Sequence, residues 1–291
     1  MMEAATVVGL LVAVIAAIFA YLQWNHPKAP KTPATSSPVT SALKRVLETK
    51  VLRVGFFHYP PLINYNETAD GVVATGIYAE VLQHFAAQQS LRIQWRPINL
   101  SQAIPAVLRA EVDCYACIMM SDVRYRECDF VGLLHSIALV GIVRKDDQTV
   151  KHPSDLTHRK DIKVAVCQGE IGHHTATTTL RIPSRRLVEV NSADISEIIA
   201  QVREGIAKVA LADGLSCKRM MKAPHGKKEF KLVFADPPIL TVPNGFMIPK
   251  GDAEFHDWLD AGIRLAFTTF AGKNGDEILR AEFGSVITRI C

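Results

Sequence analysis

One stretch limits the fold more than any other part of the sequence: Asp113 to Phe130, DCYACIMMSDVRYRECDF. It opens as an unbroken apolar run, Cys114 to Met120, the length of a short strand buried on both faces. Ser121-Asp122 follows as a turn and helix-cap signal, and Arg124 falls on the first helical turn after it. A buried strand feeding a capped helix belongs to an open α/β sheet. Such sheets bind ligands beyond the carboxyl ends of their strands. A hydroxyl and an arginine placed there suit a carboxylate, because the guanidinium fork matches both carboxylate oxygens. Taken alone, a surface arginine beside a loop is the commoner explanation, so the rest of the chain has to decide.

The rest of the chain repeats the alternation. Val51–Gly55 reads as a strand ending at His58-Tyr59-Pro60-Pro61, and Asp70-Gly71 as a turn. Ile77–Gln88 has helical apolar spacing, Leu91–Trp95 alternates as a strand, and Ser101 is placed to cap a helix over Ser101–Arg109. A second unit has the same texture. It has strands at Ile162–Val166, Leu187–Val190 and Val209–Ala212, a glycine-flanked turn at Gly169–Gly172, and an amphipathic helix over Ser192–Glu204. A strand at Gly245–Gly251 and helices over Ala253–Phe270 and Gly275–Phe283 close the chain. Strands alternating with helices argue for an α/β architecture.

Composition narrows the function classes. The 291 residues carry a net charge of +4, from 33 basic and 29 acidic residues mixed along the chain, with no basic stripe interleaved with aromatics; nucleic acid is therefore not the expected partner. Six cysteines are too few and too spread for a disulfide framework. Cys114 and Cys117 form a C-x-x-C without a second pair at zinc spacing, and their opposite strand parity argues against a shared site. No metal and no cofactor is expected, and His58, His135, His173 and His174 have no spacing that brings them together.

Ala4 to Trp24 is free of formal charge and long enough to span a bilayer, with Tyr21 and Trp24 at the interfacial end. It reads as an uncleaved anchor over residues 1–24 rather than a signal peptide, since no basic segment precedes it and Ile18-Phe19-Ala20 is a poor cleavage site. Residues 25–41, rich in proline, serine and threonine, read as an extended tether. The basic residues after the span, Lys28, Lys31, Lys44 and Arg45, oppose an outward-facing domain under the positive-inside tendency.

In order, Leu52-Arg53-Val54-Gly55 with Tyr59-Pro60-Pro61, Ile104–Leu108 with Val112-Asp113, Arg124 with Asp129-Phe130, Val164–Val166 with Gly169, and Ala210–Asp213 resemble the extracytoplasmic solute-binding protein family of amino-acid ABC importers, family 3. The resemblance covers about residues 51–284. It implies a two-lobed type 2 periplasmic-binding (Venus-flytrap) fold, also used in ionotropic glutamate receptor ligand domains. Lobe 1 would be residues 42–137 plus 243–291, lobe 2 residues 138–242, with two strands crossing near Leu134–Ala138 and Val242–Gly245. It further implies that Arg124 holds an amino acid's carboxylate, Asp213 its ammonium, and that Ser121 supplies a hydroxyl. Each end of a zwitterion needs an opposite charge, because leaving either desolvated is costly.

The chain departs from the family pattern at several of these positions. Met119 stands where the family has threonine, which leaves only backbone for the ligand. Leu100 replaces the stacking aromatic, and Phe56 stands where an acid is frequent. Gly169-Glu170-Ile171 replaces Gly-Thr-Thr/Ser, so Glu170 either complements a helix dipole or faces the cleft and prefers a cation. Tyr59 either walls the ligand or packs. The expected function is a membrane-tethered, extracytoplasmic protein that captures an amino acid or similar small polar solute, for an ABC permease or a membrane sensor partner. It is expected not to be an enzyme. The alternatives are a dehydratase resembling cyclohexadienyl dehydratases, and a degenerate structural subunit.

Overall fold

Two long antiparallel strands cross the middle of the molecule, and every other element is arranged on either side of them. The computed structural model describes residues 41–290 except 70, 193 and 272–274. The expected anchor at Ala4–Trp24 and residues 25–40 lie outside the described residues. Among the described residues no helix is long and apolar enough to cross a membrane.

The first half contains α1 (Ala42–Thr49), β1 (Val51–Phe56), a hairpin of β2 (Asn64–Thr68) and β3 (Gly71–Thr75), α2 (Ile77–Gln88), β4 (Arg92–Pro97), α3 (Ala103–Leu108), β5 (Cys114–Met119) and α4 (Asp122–Glu127). The chain then runs through β6 (Cys128–Arg144) into the second half. There α5 (Pro153–His158), β7 (Val164–Cys167), α6 (Ile171–His174), β8 (Leu187–Val190), α7 (Ile195–Arg203), β9 (Val209–Asp213), α8 (Gly214–Lys222), α9 (Gly226–Glu229) and β10 (Phe230–Val233) follow. The chain returns along β11 (Leu240–Pro249) to α10 (Ala253–Ala266), α11 (Gly275–Phe283) and β12 (Ile287–Arg289).

The strand order is β4-β1-β5-β11-β6-β9-β7-β8, with β10 and β12 also on β6. β1 pairs in parallel with β4 and β5, and β7 in parallel with β8 and β9, so each half is built of βαβ units. β6 and β11 pair with one another and are shared by both halves. This is a mixed α/β, two-lobed periplasmic-binding-protein fold. Parallel strands covered by helices on both faces carry no polar alternation, and all of β5 is buried.

Amphipathic helices cover the sheet. α2 buries Tyr78, Val81, Leu82 and Phe85, and α10 buries Phe255, Leu259, Ile263 and Ala266. The two helices meet where Phe85 and Trp258 pack edge to face at 4.9 Å. Each large side chain buried here contributes about 1.5–3 kcal/mol.

Three local expectations need correction. Ser101 does not cap a helix: Leu100–Gln102 is a 3₁₀ turn and α3 starts only at Ala103. The helix expected from Ser192 starts at Ile195, because Asp194 accepts from the Ser196 amide at 2.8 Å and caps it there. The β2–β3 hairpin was not expected, since NYNET and GVVAT carry too little apolar alternation to mark strands.

Asp113 pins α1 to the sheet. Only 2% exposed, it accepts from the Arg53 guanidinium at 2.7 Å and the Arg53 amide at 2.8 Å, and it pairs with Arg45 of α1. Asp113→Asn would leave the Arg45 and Arg53 guanidiniums, each mostly shielded, without a counter-charge. A loss of about 3–5 kcal/mol of stability is expected, read as a lower urea midpoint at unchanged slope.

Candidate functional site

The loops at the carboxyl ends of β1, β5, β7 and β9 converge from both lobes on a cavity of about 630 Å³. Phe57, Tyr59 and Met119 line it from lobe 1, and Cys167, Glu170, Asp213 and Arg219 from lobe 2. This is the place where open α/β sheets put their ligands.

The sequence-predicted residues divide into three groups. Tyr59, Met119, Glu170 and Asp213 line the cavity. Arg124, Ser121 and Gly169 form a second group that joins the lobes beside it. Phe56 belongs to neither, which corrects its expected ligand role. It is fully buried in lobe 1, edge-to-face with Tyr65 at 5.5 Å and Trp95 at 5.7 Å. The two-residue period of β1 explains this: Leu52, Val54 and Phe56 share the core side, so the next residue, Phe57, is the one presented to the cleft.

Asp213 ends β9 and caps α8. Its Oδ1 accepts from the Ser216 amide at 2.8 Å and from the Tyr59 hydroxyl across the cleft at 2.5 Å. Tyr59 is 4% exposed and stacks on Phe57 with ring centroids 5.2 Å apart. Burial and the neighbouring Asp213 push the Tyr59 phenol well above its ordinary value, so it remains a donor. Tyr59 thus packs on Phe57 and also lines the cavity.

Arg124 stands on the first turn of α4. The Ser121 hydroxyl accepts from its amide at 3.4 Å, the expected cap. The guanidinium is buried, donating to the Met119 carbonyl at 2.8 Å and, across the lobes, to the Gly169 carbonyl at 3.3 Å. It is therefore held by backbone on both sides and is not among the side chains lining the cavity. Gly169, two residues beyond the end of β7, sits at φ +77°, a left-handed conformation that glycine adopts without strain. His174 of α6 completes the junction, its Nδ1 3.2 Å from the Ser121 hydroxyl. Burial and Arg124 hold that imidazole down at about 4, so it is neutral near pH 7.

Glu170 immediately precedes α6, makes no side-chain cap bond and lines the cavity, while the Ile171 amide at the helix start favours its charged form. Burial lifts its carboxyl to about 7; Arg124 opposes the rise and Asp213 adds to it. The site as a whole thus holds a carboxyl able to exchange a proton near neutrality, a second carboxylate on a tyrosine, and an aromatic wall.

Gly172 sets the position of α6. A Cβ there would lie 2.2 Å from the Leu211 carbonyl oxygen of β9. Gly172→Ala is expected to push α6 off β9, cost about 1–3 kcal/mol and displace Glu170 and His174 together. Thermal unfolding reads the first effect and a ligand titration the second.

Sequence reasoning missed Phe57, Asn99, Asp194, His174 and Arg219. Strand parity could have found Phe57. Arg219 could not be read, because it reaches the cleft only by donating to the Pro60 carbonyl of the other lobe at 3.0 Å. Cys114 and Cys117 are buried free thiols, both pushed well above the ordinary thiol range by burial.

Comparison with known proteins agrees with this fold. The chain resembles the ancestral amino-acid-binding protein AncCDT-1, a precursor of cyclohexadienyl dehydratase, at 20% identity and TM-score 0.65, over 84% of this chain and 99% of that one. It resembles a putative binding component of an ABC transporter from Wolinella succinogenes DSM 1740 complexed with lysine, at 20% identity and TM-score 0.64, over 80% and 96%. A histidine kinase sensor domain with similarity to periplasmic binding proteins matches at 21% identity and TM-score 0.63, over 81% and 96%. At these identities the likeness is one of fold. No curated protein matches the sequence. The family model for bacterial extracellular solute-binding proteins, family 3, matches residues 52–269, and the chain belongs to that family.

Proposed function

We propose that this protein captures a small amine-bearing solute, an amino acid or a close relative, in the cavity between its lobes. The capture takes place outside the cytoplasm, with residues 4–24 as the membrane tether, and serves uptake through a permease or signalling to a membrane sensor. The observation that carries this reading is the two-sided cavity. Glu170 and Asp213 of lobe 2 face the Phe57–Tyr59 wall of lobe 1, so a bound ammonium is held by both lobes at once. A ligand that binds only the closed form shifts the hinge towards it. The aromatic wall adds cation–π attraction.

Arg124 is the proposed holder of a carboxylate by family resemblance; two of its five N–H donors are on the Met119 and Gly169 carbonyls. A thermal-shift screen of amino acids and amines on the full-length chain tests the reading. At least one amine-bearing compound should raise the melting temperature and then bind in calorimetry. A screen in which none of them shifts melting or gives binding heat would overturn it.

The tether has a separate test. An impermeant thiol reagent should label a cysteine engineered in the Thr32–Ser41 segment of intact spheroplasts. Labelling only after lysis would place the domain inside the cell and end the capture reading.

One observation favours a second reading, a dehydratase-like enzyme: Glu170, at about 7, can give or take a proton near neutrality. Incubation with prephenate or arogenate, followed by absorbance, should give no product if capture is the function. Turnover lost in Glu170→Gln would establish the enzyme.

A further inference from the structure

The proposed capture of an amine leaves the ligand's other groups unassigned, and the cleft carries information about them. Three carboxyl groups, of Glu170, Asp194 and Asp213, line the cavity. Arg219 and the exposed His58 are the basic side chains on its wall, and Arg219 stands exposed with its guanidinium already on the Pro60 carbonyl. The buried cation of the site, Arg124, gives two of its five N–H donors to backbone carbonyls and is not among the residues lining the cavity, although its charge acts on Glu170.

The cavity also adjoins a second hollow. Asn99, Leu100 and Glu170 line both the main cavity and this hollow of about 190 Å³, whose other walls include Gln168, Asn191 and Ser192. Glu170 therefore stands at a junction, with Asp213 and Asp194 on the main-cavity side and a rim of amides and a hydroxyl on the other. Oδ1 of Asp213 is taken by Tyr59 and Ser216, while Oδ2 accepts no hydrogen bond among the described residues. Taking a net-negative cavity out of water is costly unless the ligand brings positive charge to it.

We infer that the site is built for a linear amine with positive groups at both ends, a di- or polyamine, and that a carboxylate on the ligand is dispensable. One ammonium meets Asp213 against the Phe57–Tyr59 stack. The second passes Glu170 towards the amide-lined hollow. The lobes are fastened by Arg124 on Gly169, a bond that needs nothing from the ligand. The inference rests on the capture reading, since it names the ligand class of the same cavity.

The test is a calorimetric comparison on the full-length chain of 1,5-diaminopentane, L-lysine and 1-aminopentane. L-lysine is the diamine with a carboxylate added, and 1-aminopentane is the diamine with one amine removed. The diamine should bind at least as tightly as L-lysine, within about threefold, and about thirtyfold or more tighter than the monoamine. Glu170→Gln should weaken the diamine about tenfold or more with unchanged circular dichroism. If L-lysine binds and the diamine is a hundredfold weaker, the inference is overturned and amino-acid capture stands. If monoamine and diamine bind equally, the two-ended site is overturned. If none of the three binds and no other amine shifts melting, capture itself has failed and the inference falls with it.

Discussion

Arg124→Ala is expected to weaken every ligand of the cleft by a similar factor, about 10- to 150-fold, while the protein stays folded. The factor comes from the charge-assisted bonds it removes, worth about 1.5–3 kcal/mol each where a charged donor is involved. Of the two described, the bond to Met119 lies within lobe 1, and the bond to Gly169 joins the lobes. Losing the second favours the open form, and the ligand must then supply the free energy of closure. Small-angle scattering on the unliganded variant should show a larger radius of gyration. A cleft arginine that instead bound the ligand's carboxylate would give a different pattern: L-lysine would lose affinity and 1,5-diaminopentane would keep it. Unchanged affinity for both would remove Arg124 from ligand binding altogether.

The contrast between Arg124 and Phe56 shows what the sequence could and could not carry. The strand Cys114–Met119, its cap at Ser121 and the arginine behind it are local features, each set by neighbours along the chain, and all three are found in place. The burial of that arginine was not legible: taken alone, its spacing fitted a surface arginine as well. Nor were its present partners, because one is a carbonyl 45 residues away on the other lobe. Asp213 was placed at the cleft by the family resemblance, and Glu170 was left between a helix-dipole role and the cleft; both line the cavity. Phe56 was misplaced by matching position to position with a family pattern. The alternation of β1, read by itself, puts Phe57 at the cleft. Tyr59–Asp213, Arg219–Pro60 and His174–Ser121 lie between elements that meet only after the two halves fold on one another. No spacing along the chain encodes such a meeting, so this half of the site needed the structure.

Cation binding should release close to one proton per ligand near pH 6, and the proton should come from Glu170. Burial holds that carboxyl at about 7 in the free protein, so at pH 6 it is mostly protonated. A primary amine, ionised near 10, arrives already charged, and its ammonium stabilises the carboxylate form and expels the proton. Affinity should therefore rise with pH by up to about tenfold per unit below 7 and level off above it. His174, neutral above about 4, does not contribute to this window. The unliganded protein should show the opposite slope. A carboxyl whose folded value is raised from the ordinary 4.5 to about 7 favours the folded state when neutral. That stabilisation is complete below about 4.5 and is lost as pH rises through 7, on the order of 3 kcal/mol in all. Calorimetry at pH 6 in two buffers of different ionisation enthalpy measures the proton, and melting curves from pH 5 to 8 measure the stability slope. Glu170→Gln should release no proton and flatten both slopes. If the variant keeps the wild-type proton count, the released proton belongs to another group and Glu170 does not meet the ligand's charge.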